Sequence, residues 1–234
     1  MVQLFGLTAL PQSNFPPRYN IAPTQEIAIV RPPRESDGRE LVMARWGLIP
    51  FFMKEKPDRP HINARAETVE RLPLFREAFA RRRCLIPATG FYEWQHDGDR
   101  KQPWRFVRKD RDPFAFAGLW ETAGLGEEKI RSAAIIVTEA NAVVAPLHDR
   151  MPVIIPAEVY GRWLDPETTV EEAKAMLRPF PPEFMEAYPV SKRVNSHVND
   201  DEALIEPVEI ALAEGAAAAD TDLLGTPIQT RRRR

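Results

Sequence analysis

The sequence predicts a single α+β domain of mostly antiparallel strands with a few short helices. Two observations carry that expectation. Short segments rich in aromatic and β-branched residues recur along the chain, several joined by hairpin-length links such as the turn at Asp97-Gly98-Asp99. Only Leu72–Arg83 shows a clear helical period, with Leu72, Phe75 and Phe79 on one face and Arg71, Arg76, Arg81 and Arg82 largely off it. A third observation bounds the size: 234 residues with 44% hydrophobic content suit one large domain or two small ones around a real core.

Taken in order, Pro11, Pro16, Pro17 and Pro23 break any long element in residues 1–25. Glu26–Arg31 and Arg39–Trp46 read as strands joined by a polar turn containing Asp37-Gly38. Gly47-Leu48-Ile49-Pro50 and the charged loop Lys54–Pro60 then lead to His61–Glu67. Cys84–Ala88, Gly90–Gln95, Gln102–Arg108, Pro113–Trp120 and Ser132–Thr138 are the next strand candidates. Asn141–Pro146 reads as a helical turn, Val153–Ile155 as extended, Pro156–Leu164 and Val170–Leu177 as short helices, and Tyr188–Asn199 as extended again. The final residues change character, with an alanine run and four terminal arginines, so residues 1–208 are expected to form the domain and 209–234 a disordered tail.

Composition excludes several classes. Lys+Arg 32 against Asp+Glu 34 makes any nucleic-acid site a local patch rather than a property of the whole chain. A lone cysteine, Cys84, rules out an intrachain disulfide and fits a reducing cytosol. No apolar run approaches bilayer-spanning length and no basic leader precedes the first residues, so the expectation is a soluble, cytoplasmic protein without a membrane partner. The four histidines show no metal-ligand spacing, and no P-loop, Rossmann or Gly-x-Ser-x-Gly pattern occurs, so neither metal nor cofactor is expected.

The most informative stretch is His61–Glu67. Asn63, Arg65 and Glu67 alternate with Ile62, Ala64 and Ala66, so an extended chain puts an amide, a guanidinium and a carboxylate on one face. Such a row lines a polar cleft or forms a structural network, because burying it without partners is costly. Glu93 sits among aromatics in Gly90-Phe91-Tyr92-Glu93-Trp94. If buried there, its carboxyl pKa rises and it suits general acid–base work; otherwise it is a solvent-facing strand residue. His148, before Asp149 and Arg150, is either a proton carrier or a loop residue bonded to a carbonyl. Cys84 follows three arginines that would favour a thiolate, but it opens an apolar strand and reads as an inert buried thiol. Arg45, Arg65 and the helix arginines, with Trp46, Phe51, Phe52 and Trp94 for stacking, match what single-stranded nucleic acid requires, as does an ordinary solvated surface.

Taken together, the segments resemble the SOS-response-associated peptidase (SRAP) family. The resemblance rests on Pro17-Arg18-Tyr19-Asn20-Ile21-Ala22-Pro23-Thr24-Gln25, Arg45-Trp46-Gly47-Leu48-Ile49-Pro50, Ile62–Glu67, Arg83–Trp94, Phe114–Glu121, His148–Pro152, Tyr188-Pro189-Val190-Ser191 and Asn195–Asn199, in that order from about Leu4 to Val208. It implies a barrel-like fold and a monomeric protein acting on abasic sites in single-stranded DNA. In the family, a cysteine exposed by removal of the initiator methionine condenses through its amine with the ring-opened sugar aldehyde, and its thiol closes a thiazolidine. By motif match, Asn63 would orient the N-terminal residue, Glu93 would assist proton transfer at the amine, and His148 would help open the sugar and handle the imine. Arg65 would bind phosphate near the lesion, and Asn20, Pro23, Arg45, Trp46 and Gly47 would lie along the DNA groove.

Position 2 departs from the family, being Val2. Either the nucleophile is substituted, or Gln3–Leu7 matches the end of a family helix and the cysteine-bearing first strand lies upstream. The second register is favoured, since Met1 to Pro17 is too short for both strand and helix. Two other readings stay open: a peptidase or hydrolase, against which no separate nucleophile with a base is visible, and a non-catalytic single-stranded-DNA-binding module.

Overall fold

The computed structural model describes residues 2–8, 15–33, 37–98 and 100–210. The expected breaker Pro11, the turn residue Asp99 and all of the expected tail beyond Ile210 lie outside the described residues.

Five strands close into a ring: β1 (Glu26–Arg31), β2 (Glu40–Trp46), β4 (Arg83–Ala88), β7 (Phe114–Leu125) and β8 (Glu128–Glu139). The order is β7-β4-β1-β2-β8, and β8 pairs back onto β7. This is the barrel-like α+β architecture that the sequence predicts. Most pairings are antiparallel, but β2 and the short β3 (Asn63–Arg65) run parallel to β8. The spine is β8, each of whose edges serves two strands in succession. One edge carries β7 and then β9 (Arg150–Pro152); the other carries β2 and then β3. The short β10 (Ile154–Ile155) adds to β7.

A separate three-stranded antiparallel sheet comprises β5 (Phe91–Asp97), β6 (Arg100–Arg108) and β11 (Met185–Pro189). The β5–β6 hairpin turns at Gly98, whose φ of 55° is cheap only for glycine. The β7–β8 hairpin turns likewise at Gly126, with φ 63°. Both strands of that hairpin run longer than the sequence pattern predicts, because the polar residues at its outer end lack apolar alternation.

Strand alternation divides the core in two. Ile27, Ile29, Ala44, Cys84, Ile86, Trp120, Ala133 and Ile135 face one another inside the ring, and this cluster continues to Phe91, Phe106 and Met185 of the second sheet. The opposite faces pack Val30, Leu85, Leu119 and Ile136 against helices α1 (Val2–Phe5), α2 (Arg76–Arg81) and α3 (Tyr160–Leu164), with α4 (Val170–Ala175) alongside. Fully buried Trp163 donates its Nε1–H to the Cys84 carbonyl at 2.8 Å, and truncating such a residue costs about 3–5 kcal/mol. Helix α2 is shorter than Leu72–Arg83; residues before it form turns around Pro73. The extended reading of Tyr188–Asn199 is corrected: after β11 the chain coils into a 3-10 turn, Lys192–Asn195, opened by the Ser191 side chain accepting from the Arg193 N–H.

Candidate functional site

The alternation at His61–Glu67 is realised. Ala64 and Ala66 are buried in the outer core, while Asn63, Arg65 and Glu67 are exposed. Pairing with β8 places Asn63 beside Ile135 and Arg65 beside Val137, on the face that belongs to the ring's interior cluster. Beyond the end of β2 that face is no longer closed off, so the polar row lies at the ring's mouth. Trp46, the last residue of β2, donates its indole N–H to the Ile62 carbonyl at 3.1 Å, which fixes the ring next to the start of the row.

Glu93 reaches the same cluster from the second sheet. Phe91 and Glu93 share one face of β5, and Phe91 stacks on Phe106 (5.0 Å) and meets Phe116 edge-on (6.0 Å). Tyr92 and Trp94 point the other way; Tyr92 donates to the Tyr19 carbonyl (2.8 Å) and Trp94 to Asn195 Oδ1 (2.7 Å). Burial pushes the Tyr92 hydroxyl up to about 12, which keeps it a neutral donor. Trp94 is thus tied at its edge to Asn195 and packs, partly buried, beside the Val190, Val194 and Leu204 cluster.

The electrostatics of Glu93 separate it from its neighbours. Burial raises its pKa above the usual carboxylate value; the nearby His148 pulls it down, and Asp149 pushes it up again. Among the described residues its carboxyl forms no hydrogen bond or ion pair. His148 is tied down through Nδ1 alone, which accepts the Arg150 N–H at 2.9 Å and lies 3.0 Å from the Arg150 carbonyl oxygen. Neutral imidazole is satisfied by the first contact and imidazolium by the second, so Nε2 stays available in either state.

Glu67 has the opposite character. Burial works to raise its pKa, but its own backbone N–H and an ion pair with Arg150 outweigh that, assisted by the charge of Arg65. The net result is a carboxylate held below its usual range. That ion pair joins the β3 row to β9 and thus to the His148 loop. Arg65 itself forms no ion pair among the described residues.

The structure thus brings Glu93 and His148 together, and Asn63, Arg65 and Trp46 along the mouth of the ring. Of the other sequence candidates, Arg45 and Gly47 flank Trp46 in the chain. Asn20 is buried, its amide N–H groups directed at the carbonyls of Val194, Ser196 and Asn199, so it clamps the closing segment instead of facing a groove. Pro23 is exposed beside Thr24, whose N–H donates to the Trp46 carbonyl. Gly47 contributes backbone: its φ is 128°, and a Cβ there would meet Pro60 at 2.8 Å and the Arg45 guanidinium at 2.9 Å. Arg45 donates to the Gly47 carbonyl at 3.0 Å.

Two residues were missed by sequence reasoning. Arg150 pairs Glu67 across β8, and its place beside His148 in the matched motif was the available signal. Asp200 accepts the N–H groups of Tyr19 and Asn20 and pairs with Arg18. Burial favours its protonated form, but those donors and the arginine hold it below the ordinary carboxylate range. Nothing local in the sequence announces a partner some 180 positions away. Cys84 is fully buried, and burial drives its thiol far above its usual pKa, so no thiolate chemistry starts there. Among the described residues no three His, Cys, Asp or Glu side chains converge as metal ligands.

Comparison with known proteins matches residues 1–197 to the family described as SOS response associated peptidase (SRAP). The abasic site processing protein YoqW of Bacillus subtilis is 41% identical over 201 residues, spanning 84% of this chain and 89% of its own length. The abasic site processing protein YedK of Escherichia coli is 29% identical over 193 residues, spanning 82% and 85%. A crystal structure of a protein from Bacteroides thetaiotaomicron aligns with a TM-score of 0.69 at 31% identity, covering 82% of each chain.

Proposed function

The chain belongs to the SRAP family, and from that premise we propose that it recognises abasic sites in single-stranded DNA at the mouth of the ring. The observation that carries the reading is Glu93: a half-buried carboxyl with a raised pKa, no bonding partner of its own, and His148 beside it. A structural carboxylate in this protein is spent on a cation, as Glu121 is on Arg82 at 2.8 Å. Glu93 is not.

An abasic site offers an aldehyde once its sugar ring opens. Attack by an amine nitrogen on that carbon forms a C–N bond, the oxygen takes up a proton, and its departure as water leaves an imine. In this reading Glu93, whose raised pKa favours the protonated form, supplies a proton to the departing hydroxyl, and His148 Nε2 serves the ring-opening step. Arg65, with no ion pair among the described residues, offers its guanidinium to a phosphate oxygen. Trp46 lines the mouth, and Phe51 and Phe52, 52% and 49% accessible in the segment that follows it, offer faces for stacking bases. Thiazolidine closure needs a thiol next to the amine, which buried Cys84 does not supply. The residues described here are therefore assigned the recognition step. The family's name also admits peptidase action, for which the site offers no nucleophile beside a base.

A second reading, a non-covalent single-stranded-DNA module, is favoured by the burial of Cys84. Single-stranded DNA with one abasic site, incubated with the protein with and without borohydride and run on a denaturing gel, separates the two. A reductant-dependent band that requires the abasic site supports imine formation. A shift seen only in a native gel supports the second reading, and no shift in either gel overturns both.

A further inference from the structure

The parallel pairing of β2 with β8 covers only Arg45–Trp46 against Ser132–Ala133. Toward their N-terminal ends the two strands splay, leaving an open cleft of about 520 Å³. Its lining carries four cations, Arg31, Arg45, Lys129 and Arg131, against two carboxylates, Glu26 and Glu128. Arg31 is held by Glu40 at 2.7 Å and lies over the Trp120 ring at 4.1 Å. Glu128 faces Lys56 at 3.9 Å. Arg45, Lys129 and Arg131 form no ion pair among the described residues. Arg131 is set in place by donating to the Met43 carbonyl at 3.1 Å, and Arg45 by donating to Gly47. Two preorganised guanidinium groups and an exposed ammonium around an open gap, with no carboxylate bonded to them, make a receptor for an anion.

We propose that this cleft is a second phosphate site, which takes the sugar–phosphate backbone of DNA flanking the lesion. The proposal rests on the DNA-binding reading above and adds a place remote from the reacting groups. Arg131 and Glu139 mark the two ends of the relevant part of β8; eight residues at about 3.3 Å each put them about 26 Å apart. The reactive cluster lies at the Glu139 end through β3 and β9, and the cleft at the other. Phe51 lies near one side of the cleft, over Thr122 and Arg82. Thr122 lines both the cationic cleft and a smaller hollow of about 300 Å³ walled by Phe51, Arg82, Trp120 and the carboxylates Glu77 and Glu121, of which Glu121 is paired with Arg82. A strand that occupies the mouth meets the cations at the other end of β8 only if it is long enough.

The test compares single strands of about four and about sixteen nucleotides, each with one abasic site or none, as a function of salt. The proteins are the wild type, Lys129→Gln and the pair Lys129→Gln with Arg131→Gln, each checked by thermal melting. Lys129 is exposed, so the single variant stays informative if the pair folds poorly. The expected result is several-fold weaker binding of the long strand by the pair, with the short strand unchanged. The salt slope for the long strand should fall by about 1.4 for the pair and about 0.7 for the single variant. Unchanged long-strand binding would overturn the proposal, and so would equal losses on both lengths. Should the wild type bind damaged and undamaged strands alike, the abasic-site reading fails, while the cleft is still judged by the same length comparison on undamaged DNA.

Discussion

Glu67 and Glu93 arrive at the same end of the ring from different sheets, and their surroundings drive them apart. Glu67, on the exposed row of β3, is bonded to Arg150 and held ionised. Glu93, on the covered face of β5, is half-buried with no ion pair among the described residues, and holds its proton more tightly than an ordinary carboxyl. Two carboxyls whose environments separate their pKa values are suited to different work: under the proposed function, Glu67 would give a fixed negative charge and a geometric anchor, and Glu93 a transferable proton. Glu121 shows that a raised pKa alone does not make an acid. Burial raises it as well, but Arg82 occupies it.

The strongest way to break the contrast is to remove the proton carrier. Glu93→Gln keeps the shape and loses the titration, and is expected to lower borohydride trapping by about a thousandfold. Stability should move the other way. A carboxyl whose folded pKa is raised stabilises the native state below the unfolded value of 4.5, and that contribution is lost as pH rises through the folded pKa. Denaturant midpoints should therefore fall across that window in the wild type and stay flatter in Glu93→Gln. A variant destabilised near neutrality would mean that Glu93 is a structural residue.

Removing the cation from the third carboxyl is expected to act on stability alone. Arg82→Ala leaves Glu121, 3% exposed, without its partner, at a cost of about 3 kcal/mol in denaturant unfolding. Trapping per folded molecule at the Glu93 site should persist.

Much of this architecture was legible in the chain. Alternation in Asn63-Ala64-Arg65-Ala66-Glu67 gave the face of β3, and apolar runs gave β1, β4 and the central parts of β7 and β8. What the chain concealed were relations between distant segments. Nothing local distinguishes Asn20 as a clamp on Val194, Ser196 and Asn199 from Asn20 as a groove residue. The five residues around Glu93 leave its burial undecided, because which face of β5 is covered depends on other strands, where Phe106 and Phe116 pack on Phe91, its neighbour on that face. The parallel joins of β2 and β3 to β8 are likewise long-range, and the sequence period of a strand does not reveal the direction of its partner.

Releasing the anchor should have a smaller effect. Arg150→Gln frees Glu67, whose pKa is expected to rise toward its ordinary value in an NMR titration. The ion pair is partly exposed, 28% and 49% by side chain, so its loss should cost less than about 1 kcal/mol of stability.

The finest test leaves both carboxyls in place. Asp149, 86% exposed, lies 3.4 Å from His148 Nδ1, and its charge holds the Glu93 pKa up. Asp149→Asn should therefore let Glu93 ionise at lower pH and shift the pH profile of trapping down. Because Asp149 is solvated, the shift should be modest at low salt and fade as the screening length contracts from about 10 Å at 0.1 M to about 3 Å at 1 M. Glu67 answers to Arg150 and Arg65 and not to Asp149, so its NMR titration should not move. If Arg150→Gln moves the trapping profile and Asp149→Asn leaves it in place at low salt, the titrating carboxyl is Glu67. The division of labour between the two would then be reversed.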